Sequence, residues 1–387
     1  MIFRQLSSII FFGALSGWKK FPVWFFRHSF RSLPVAAGSI GMGCIGFPNH
    51  PVFEITDRCN LNCLHCHASS GESGKNKKEL DTEQVRSLID GLAKIPQFRM
   101  LVFTGGEPFI REDFIEILEY SKYRGFINVV ATNATLITDQ IARKIKKAGV
   151  YGAAVSLDST FSEVHNKIRQ NKNAFELAAR GIEAIKKSGI LLQINTTAME
   201  YNIENLQDLI KFSDSLGAGI MLMYQLVPVG RGCAVKDAAL DTGSNEKLLK
   251  YIYNVQKNVS VIVETVAGPQ YWPYLLEKAE KTSPVYLKIA QKLFHGCTAG
   301  RGLAYIKPGG EVWPCPFVEI NAGNILDKPF DAIWKESMVF RDLREREFLL
   351  KGKCGKCRYN IICGGCRGRA FALTGDYLEE DKYCFIK

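Results

Sequence analysis

The stretch FEITDRCNLNCLHCHAS, residues 53–69, sets Cys59, Cys63 and Cys66 within eight consecutive positions, directly after an apolar run that reads as a buried strand. The spacing is C-x3-C-x2-C. A closed tetrahedral metal site takes four protein ligands, and here there are three.

Downstream of this stretch, strand and helix patterns alternate. Val52–Thr56, Met100–Thr104, Ile127–Thr132, Gly152–Leu157, Leu191–Thr196 and Gly219–Val227 are short β-branched or aromatic runs of the kind buried on both faces of a parallel sheet. Amphipathic stretches lie between them. LDTEQVRSLIDGLAKI opens on an Asp81…Gln84 pair that resembles a capping box, and several of the others stop at a glycine: Gly125, Gly149 and Gly189. Six β–α units predict an α/β fold, a partial (β/α)6 parallel barrel, in which active groups gather at the C-terminal strand ends. The cysteine triplet falls beyond the end of the first strand.

The 387-residue chain has room for two domains. The expected division is 1–50, an apolar basic N-terminal extension; 51–235, the barrel; 236–292, a helical bridge; and 293–387, a small domain held by metal. LAYIKPGGEVWPC, residues 303–315, reads as a hairpin around Pro-Gly-Gly, and one helix is expected near Phe330–Glu345. Hydrophobic residues make up 47% and charged residues 23%, ordinary for a globular protein. The formal charge of +11 is concentrated in two acid-free runs, 1–50 and 348–375. The second is interleaved with cysteines, so its cations either offset negative thiolate clusters or form a solvated face. The basic runs lack a helix-in-groove or base-stacking motif, so nucleic acid is not an expected partner. Residues 1–50 carry aromatic and apolar segments too short to span a bilayer. They fit either a membrane interface or a cap folded back on the barrel. Twelve cysteines, with C-x-x-C clusters among them, favour metal over disulfides, and no clean secretory signal is seen, so a reducing cytoplasmic compartment is expected.

Three cysteines on a loop suit a [4Fe–4S] cluster with one iron left open for a small chelating molecule. A zinc or structural site fits the triplet taken alone. With its context, CNLNCLHC resembles the signature of radical S-adenosylmethionine (SAM) enzymes. The resemblance implies that the methionine moiety of SAM chelates the open iron. TGGEP, residues 104–108, resembles the family's methionine-contacting motif, which marks Gly105, Gly106 and Glu107. TNAT, residues 132–135, offers Asn133 as a nucleoside contact, with Ala134 where relatives carry glycine. VSLDS…EVHNKIRQ adds Ser156 and Asp158 at a strand end and Arg169 on the next helix as cofactor contacts; similar enzymes use the Ser and Arg to hold ribose and carboxylate. His65 and His67 are expected to be a loop side chain near the adenine and a helix-start residue, not iron ligands.

Cys297, Cys315, Cys354, Cys357, Cys363, Cys366 and Cys384 resemble the SPASM extension of that family, which holds two auxiliary [4Fe–4S] clusters. The resemblance assigns Cys354, Cys357, Cys363 and Cys384 to an outer cluster and Cys297, Cys315 and Cys366 to an inner one, one thiolate short. The only nearby upstream donor is His295. A zinc ribbon stays open for CGKC…CGGC. Cys44 and Cys233 read as small buried hydrophobes, with Cys233 also a remote candidate for the missing ligand. Tyr224 and Gln225 read either as cavity lining or as core. VPVGRG and CGGCRGRAFALTGDYLEED look most like the tetrapyrrole-modifying branch of the family. The implied reaction is reductive cleavage of SAM to a 5′-deoxyadenosyl radical that takes hydrogen from a substrate C–H bond, with a small-molecule, lipid or peptide substrate and a flavodoxin or ferredoxin reductant. A lipid-modifying enzyme at a membrane and a non-catalytic iron–sulfur or zinc protein are the alternatives.

Overall fold

The computed structural model describes residues 10–20, 50–71, 78–293 and 296–386, and the backbone of Met42–Cys44 and Phe47–Pro48. Most of the apolar extension, the side chain of Cys44, and His295 lie outside the described residues.

Seven parallel strands form the framework: β1 Val52–Glu54, β2 Met100–Thr104, β3 Ile127–Thr132, β4 Val150–Ser156, β5 Leu191–Ala198, β6 Ile220–Gln225 and β7 Ile262–Val266. Each pairs with the next in sequence order. Register alternation gives every strand two faces. Phe53, Leu101, Phe103, Val130, Val155, Ile194, Met221 and Met223 point toward the helices and are fully buried. Met100, Val102, Val129, Ala131, Ala154, Gln193 and Leu222, on the opposite face, border one cavity. All seven parallel strands border this cavity, which describes a curled, barrel-like sheet. The helices between them include α1 Thr82–Ala93, whose Asp81–Gln84 capping box is formed in both directions at 2.9 Å.

Two features depart from the sequence reading. Residues 236–292 are not purely a helical bridge, because β7 adds a seventh parallel strand within them. The helix expected near Phe330–Glu345 breaks at Ser337 into Phe330–Glu336 and Met338–Arg344.

The C-terminal hairpin joins the same sheet. β8 Tyr305–Ile306 pairs parallel to β1, and β9 Glu311–Trp313 and β10 Gly323–Asn324 extend it antiparallel. At the other edge, the helical residues 10–16 fold back onto the body. Phe12 and Leu15 are buried, Phe12 meets Trp272 edge-on at 6.2 Å, and Trp18 donates from Nε1 to the Val259 carbonyl at 2.8 Å. Over residues 10–20 the apolar extension is therefore a cap. Among the described residues no helix is long and apolar enough to cross a membrane.

Candidate active site

The loop after β1 is closed at its neck, where the Cys59 amide donates to the Gly71 carbonyl at 3.1 Å. Within it Cys59 and Cys63 are buried and Cys66 half-buried, packed with Leu61. Burial pushes the Cys59 thiol up to about 12 and Cys63 upward as well. A ring of desolvated thiols ionises at neutral pH only against strong positive charge, which iron supplies.

The TGGEP loop is strapped to this ring. The Gly106 amide donates to the Thr56 carbonyl at 2.8 Å, and Glu107 to the Arg58 carbonyl at 2.9 Å. A Cβ on Gly105 would lie 2.6 Å from the Thr56 oxygen, and one on Gly106 2.2 Å from that of Arg58. Only glycine permits the approach. Glu107 itself turns away from the cavity. Its carboxylate accepts from Thr132 Oγ1 at 2.8 Å and from the Asn133 amide at 2.9 Å, and burial pushes its carboxyl up to about 7. Held there, Glu107 ties the β2 loop to the β3 loop and does not line the cavity.

Asn133 lines the cavity and donates to Asn60 on the cysteine loop at 2.9 Å. Ala134 adopts φ +60, the left-handed conformation that makes glycine usual there. Ser156 and Arg169 also line the cavity. Asp158 does not: it is fully buried and accepts from Arg169 Nε at 2.7 Å. Burial pushes its carboxyl up, but the Arg169 charge outweighs this and holds it low. Asp158 thus aims Arg169, whose Nη1 reaches to 3.7 Å from the Cys63 sulfur.

Sequence reasoning missed the clamp that β6 supplies. Gly230, at φ +56, packs so closely that a Cβ would sit 2.3 Å from the His67 carbonyl oxygen. Arg231 donates from its amide to the Cys66 carbonyl at 3.0 Å, from Nε to the Cys63 carbonyl at 2.9 Å and from Nη1 to the Ser70 carbonyl at 2.6 Å. The signal was the GRG triplet just past a strand end. His67, expected at a helix start, instead lies 3.1 Å from the Tyr305 hydroxyl, which donates to buried Glu54 at 2.8 Å; Lys307 pairs with the same carboxylate. The cysteine loop is thereby joined to the C-terminal hairpin. His65 also borders the cavity.

The seven later cysteines fall into two neighbourhoods. Cys315 interacts electrostatically with Cys297 and Cys366, and these three share one apolar cluster. Cys363 interacts with Cys354 and Cys384, and Cys357 with Cys354. Amide hydrogens point at several sulfurs, as from Gly365 to Cys363 at 3.4 Å and Arg369 to Cys366 at 3.3 Å. Among the described residues, no three His, Cys, Asp or Glu side chains close around a single point as a one-ion site requires. A cubane spreads its thiolates over separate irons and asks for a wider ring. The acid-free run divides: Arg367 and Arg369 are buried beside the thiols, whereas Lys351, Lys353, Lys356 and Arg358 face solvent. Cys233 is exposed and bonds the Pro228 carbonyl at 3.1 Å, outside the cavity, which removes it as a missing ligand.

One cavity of about 390 Å³ brings the parts together. Cys59, Cys63 and Cys66 line it from the sheet side, and Cys297, Cys315 and Cys366 from the C-terminal side; Cys354, Cys357, Cys363 and Cys384 do not reach it. Tyr224 and Gln225 lie between.

A family model described as the Radical SAM superfamily matches residues 53–213, and one described as an iron–sulfur cluster-binding domain, SPASM, matches 297–358. An AdoMet-dependent heme synthase from Methanosarcina barkeri is 37% identical over 346 residues, covering 88% of this chain and 97% of that protein. The chain belongs to the radical SAM family. The mycofactocin maturase MftC of Mycolicibacterium smegmatis is 31% identical, covering 84% of this chain and 79% of its own. The crystal structure of Streptococcus suis SuiB bound to S-adenosylmethionine shares the fold, with a TM-score of 0.67 at 17% identity over 93% of this chain and 81% of that one. The protein is a radical SAM enzyme whose cofactors are [4Fe–4S] clusters and SAM. The buried thiol rings, with amides aimed at their sulfurs, fit such clusters.

Proposed function

We propose that this radical SAM enzyme matures a tetrapyrrole in haem formation. The carrying observation is the single cavity that reaches both the N-terminal thiol ring and the three inner cysteines. It lets one bound substrate face a radical source and an auxiliary site together. The likeness to a heme synthase over nearly its whole length supports the choice of substrate class. A peptide substrate is the second reading, supported by the likeness to MftC.

When bound, the first cluster supplies the electron that cleaves SAM to the 5′-deoxyadenosyl radical, which takes hydrogen from the substrate. The chain's residues bind, orient and exclude water. Cys59, Cys63 and Cys66 hold that cluster. Gly105 and Gly106 bring backbone close to the methionine end, Asn133 and Ser156 contact the nucleoside, and Arg169, aimed by Asp158, meets the carboxylate. Cys354, Cys357, Cys363 and Cys384 would hold the outer auxiliary cluster, and Cys297, Cys315 and Cys366, which line the cavity, would hold the inner one, with a non-cysteine fourth ligand or an open iron. The Gln225 amide is oriented for substrate: Arg369 donates to its Oε1 at 2.8 Å, so Nε2 remains as a buried donor at the cavity wall. The electron comes from a flavodoxin- or ferredoxin-type donor in the cytoplasm. Contact of residues 1–50 with a membrane surface rests on their sequence, and vesicle co-sedimentation of the full chain against one lacking residues 1–9 and 21–49 tests it.

The test of the reaction incubates anaerobically reconstituted enzyme with SAM, dithionite and an iron porphyrin bearing carboxylate side chains. Porphyrin-dependent 5′-deoxyadenosine and a mass change in the porphyrin are expected. An unaltered porphyrin, with a small peptide altered under the same conditions, would overturn the tetrapyrrole reading in favour of the peptide one.

A further inference from the structure

The C-terminal domain buries three arginines completely: Arg346, Arg367 and Arg369. Two of them are provided for. Arg369 forms a bidentate pair with Asp381, both bonds 2.7 Å, and donates to Gln225. Arg367 donates to the carbonyls of Tyr377 at 2.9 Å and Glu379 at 2.6 Å and reaches the Cys354 sulfur at 3.6 Å. Arg346 is different. It donates from Nη1 to the Cys297 carbonyl at 2.5 Å, while Nε and Nη2 are buried with no hydrogen-bond partner among the described residues.

Its position explains what those donors face. Gly364, at φ +67, lies so close that a Cβ there would be 2.7 Å from Nε and 2.9 Å from Nη2. The guanidinium is therefore pressed against the backbone between Cys363 and Cys366, one cysteine from each neighbourhood, while bonded to the carbonyl of a third, Cys297. Two acidic groups of the domain face other arginines: Asp381 pairs with Arg369, and Glu347 lies 3.4 Å from Arg301, its Oε2 without a hydrogen-bond partner among the described residues. Burial pushes the Arg346 guanidinium down to about 10, still charged at neutral pH, and the nearby charges that favour its cationic form are Cys297 and Cys363. A buried cation with two idle donors and no carboxylate calls for an anion beside it.

We propose that Arg346 is the fixed counter-charge shared by the two auxiliary iron–sulfur clusters, and that it sets their reduction potentials. A positive charge held in a low-dielectric seam between two thiolate-bound clusters favours the reduced, more negative state of each. This would poise both as electron acceptors relative to the first cluster. The proposal rests on the two cysteine sets being cluster ligands.

EPR-monitored redox titration of the anaerobically reconstituted full chain tests it, comparing wild type, Arg346→Gln and Arg346→Lys. In Arg346→Gln the reduction equilibrium of the auxiliary clusters should fall at least about tenfold, about 59 mV to the negative for a one-electron couple. The first cluster should not move, and Arg346→Lys should restore most of the shift. Auxiliary potentials unchanged in Arg346→Gln with full iron content overturn the proposal. If Arg346→Gln loses auxiliary iron and Arg346→Lys keeps it, charge is what the clusters require and the proposal stands. Equal loss in both variants means that shape alone matters and overturns it. A wild-type iron and sulfide count that accounts for one cluster only would overturn the ligand assignment instead, a separate failure.

Discussion

The two thiol-bearing regions are built in opposite ways. The N-terminal ring hangs on a loop whose neck, straps and clamp all come from a sheet with a continuous apolar core. The C-terminal cysteines sit among two- and three-residue strands and helices of four to eight residues. Sulfur, glycine and buried arginine sit there beside a small apolar cluster. The first region can hold its shape before iron arrives; the second depends on iron for much of its cohesion, as small metal-held domains do.

Iron removal should separate the regions most sharply. Hydrogen exchange of the chelated protein is expected to show protection lost across 296–386 and retained in β2 to β6. Uniform loss across both would break the contrast. Next in size, Cys59→Ala should abolish 5′-deoxyadenosine formation while leaving auxiliary iron in place, read by iron count and product assay. Gly106→Ala forces a methyl against the Arg58 carbonyl, and overpacking of about 1–3 kcal/mol at the cluster loop should cut SAM cleavage by about a hundredfold. Asp158→Asn leaves Arg169 unaimed; losing a charge-assisted hydrogen bond of about 1.5–3 kcal/mol should raise KM for SAM about tenfold or more. An unchanged KM would show that Arg169 needs no such partner. Smallest is Ala134→Gly. Relief of left-handed strain of about 1–2 kcal/mol, against a glycine entropy cost of about 0.5–1 kcal/mol, leaves a gain near 1 kcal/mol or less in thermal unfolding.

Legibility in the sequence followed how local each determinant was. Met100–Thr104 and Ile127–Thr132 were readable to the residue, because β-branched runs end there on glycine or asparagine. VIVETV, residues 261–266, carries the same signal, but it follows a long helix in a stretch read as helical, and β7 was overlooked. The helix break at Ser337 has no glycine or proline to announce it. In the site, residue types at strand ends located Gly105, Gly106, Asn133, Ser156 and Arg169 beside the cavity. The sequence does not show which way a carboxylate turns: Glu107 is drawn off by Thr132 and Asp158 by Arg169, both tertiary neighbours. The idle donors of Arg346 were equally hidden, since they are defined by what the fold leaves out.

The two-residue strand Tyr305–Ile306 has a consequence out of proportion to its length. By lying along Val52–Glu54 it seals the margin of the sheet from which the first cysteine loop departs. A fragment ended before it would present bare amide and carbonyl groups beside that loop, a template for pairing with another copy. Grafting a cysteine-rich cap from a relative onto this barrel must therefore carry the hairpin along. The seam between the modules runs through a shared sheet.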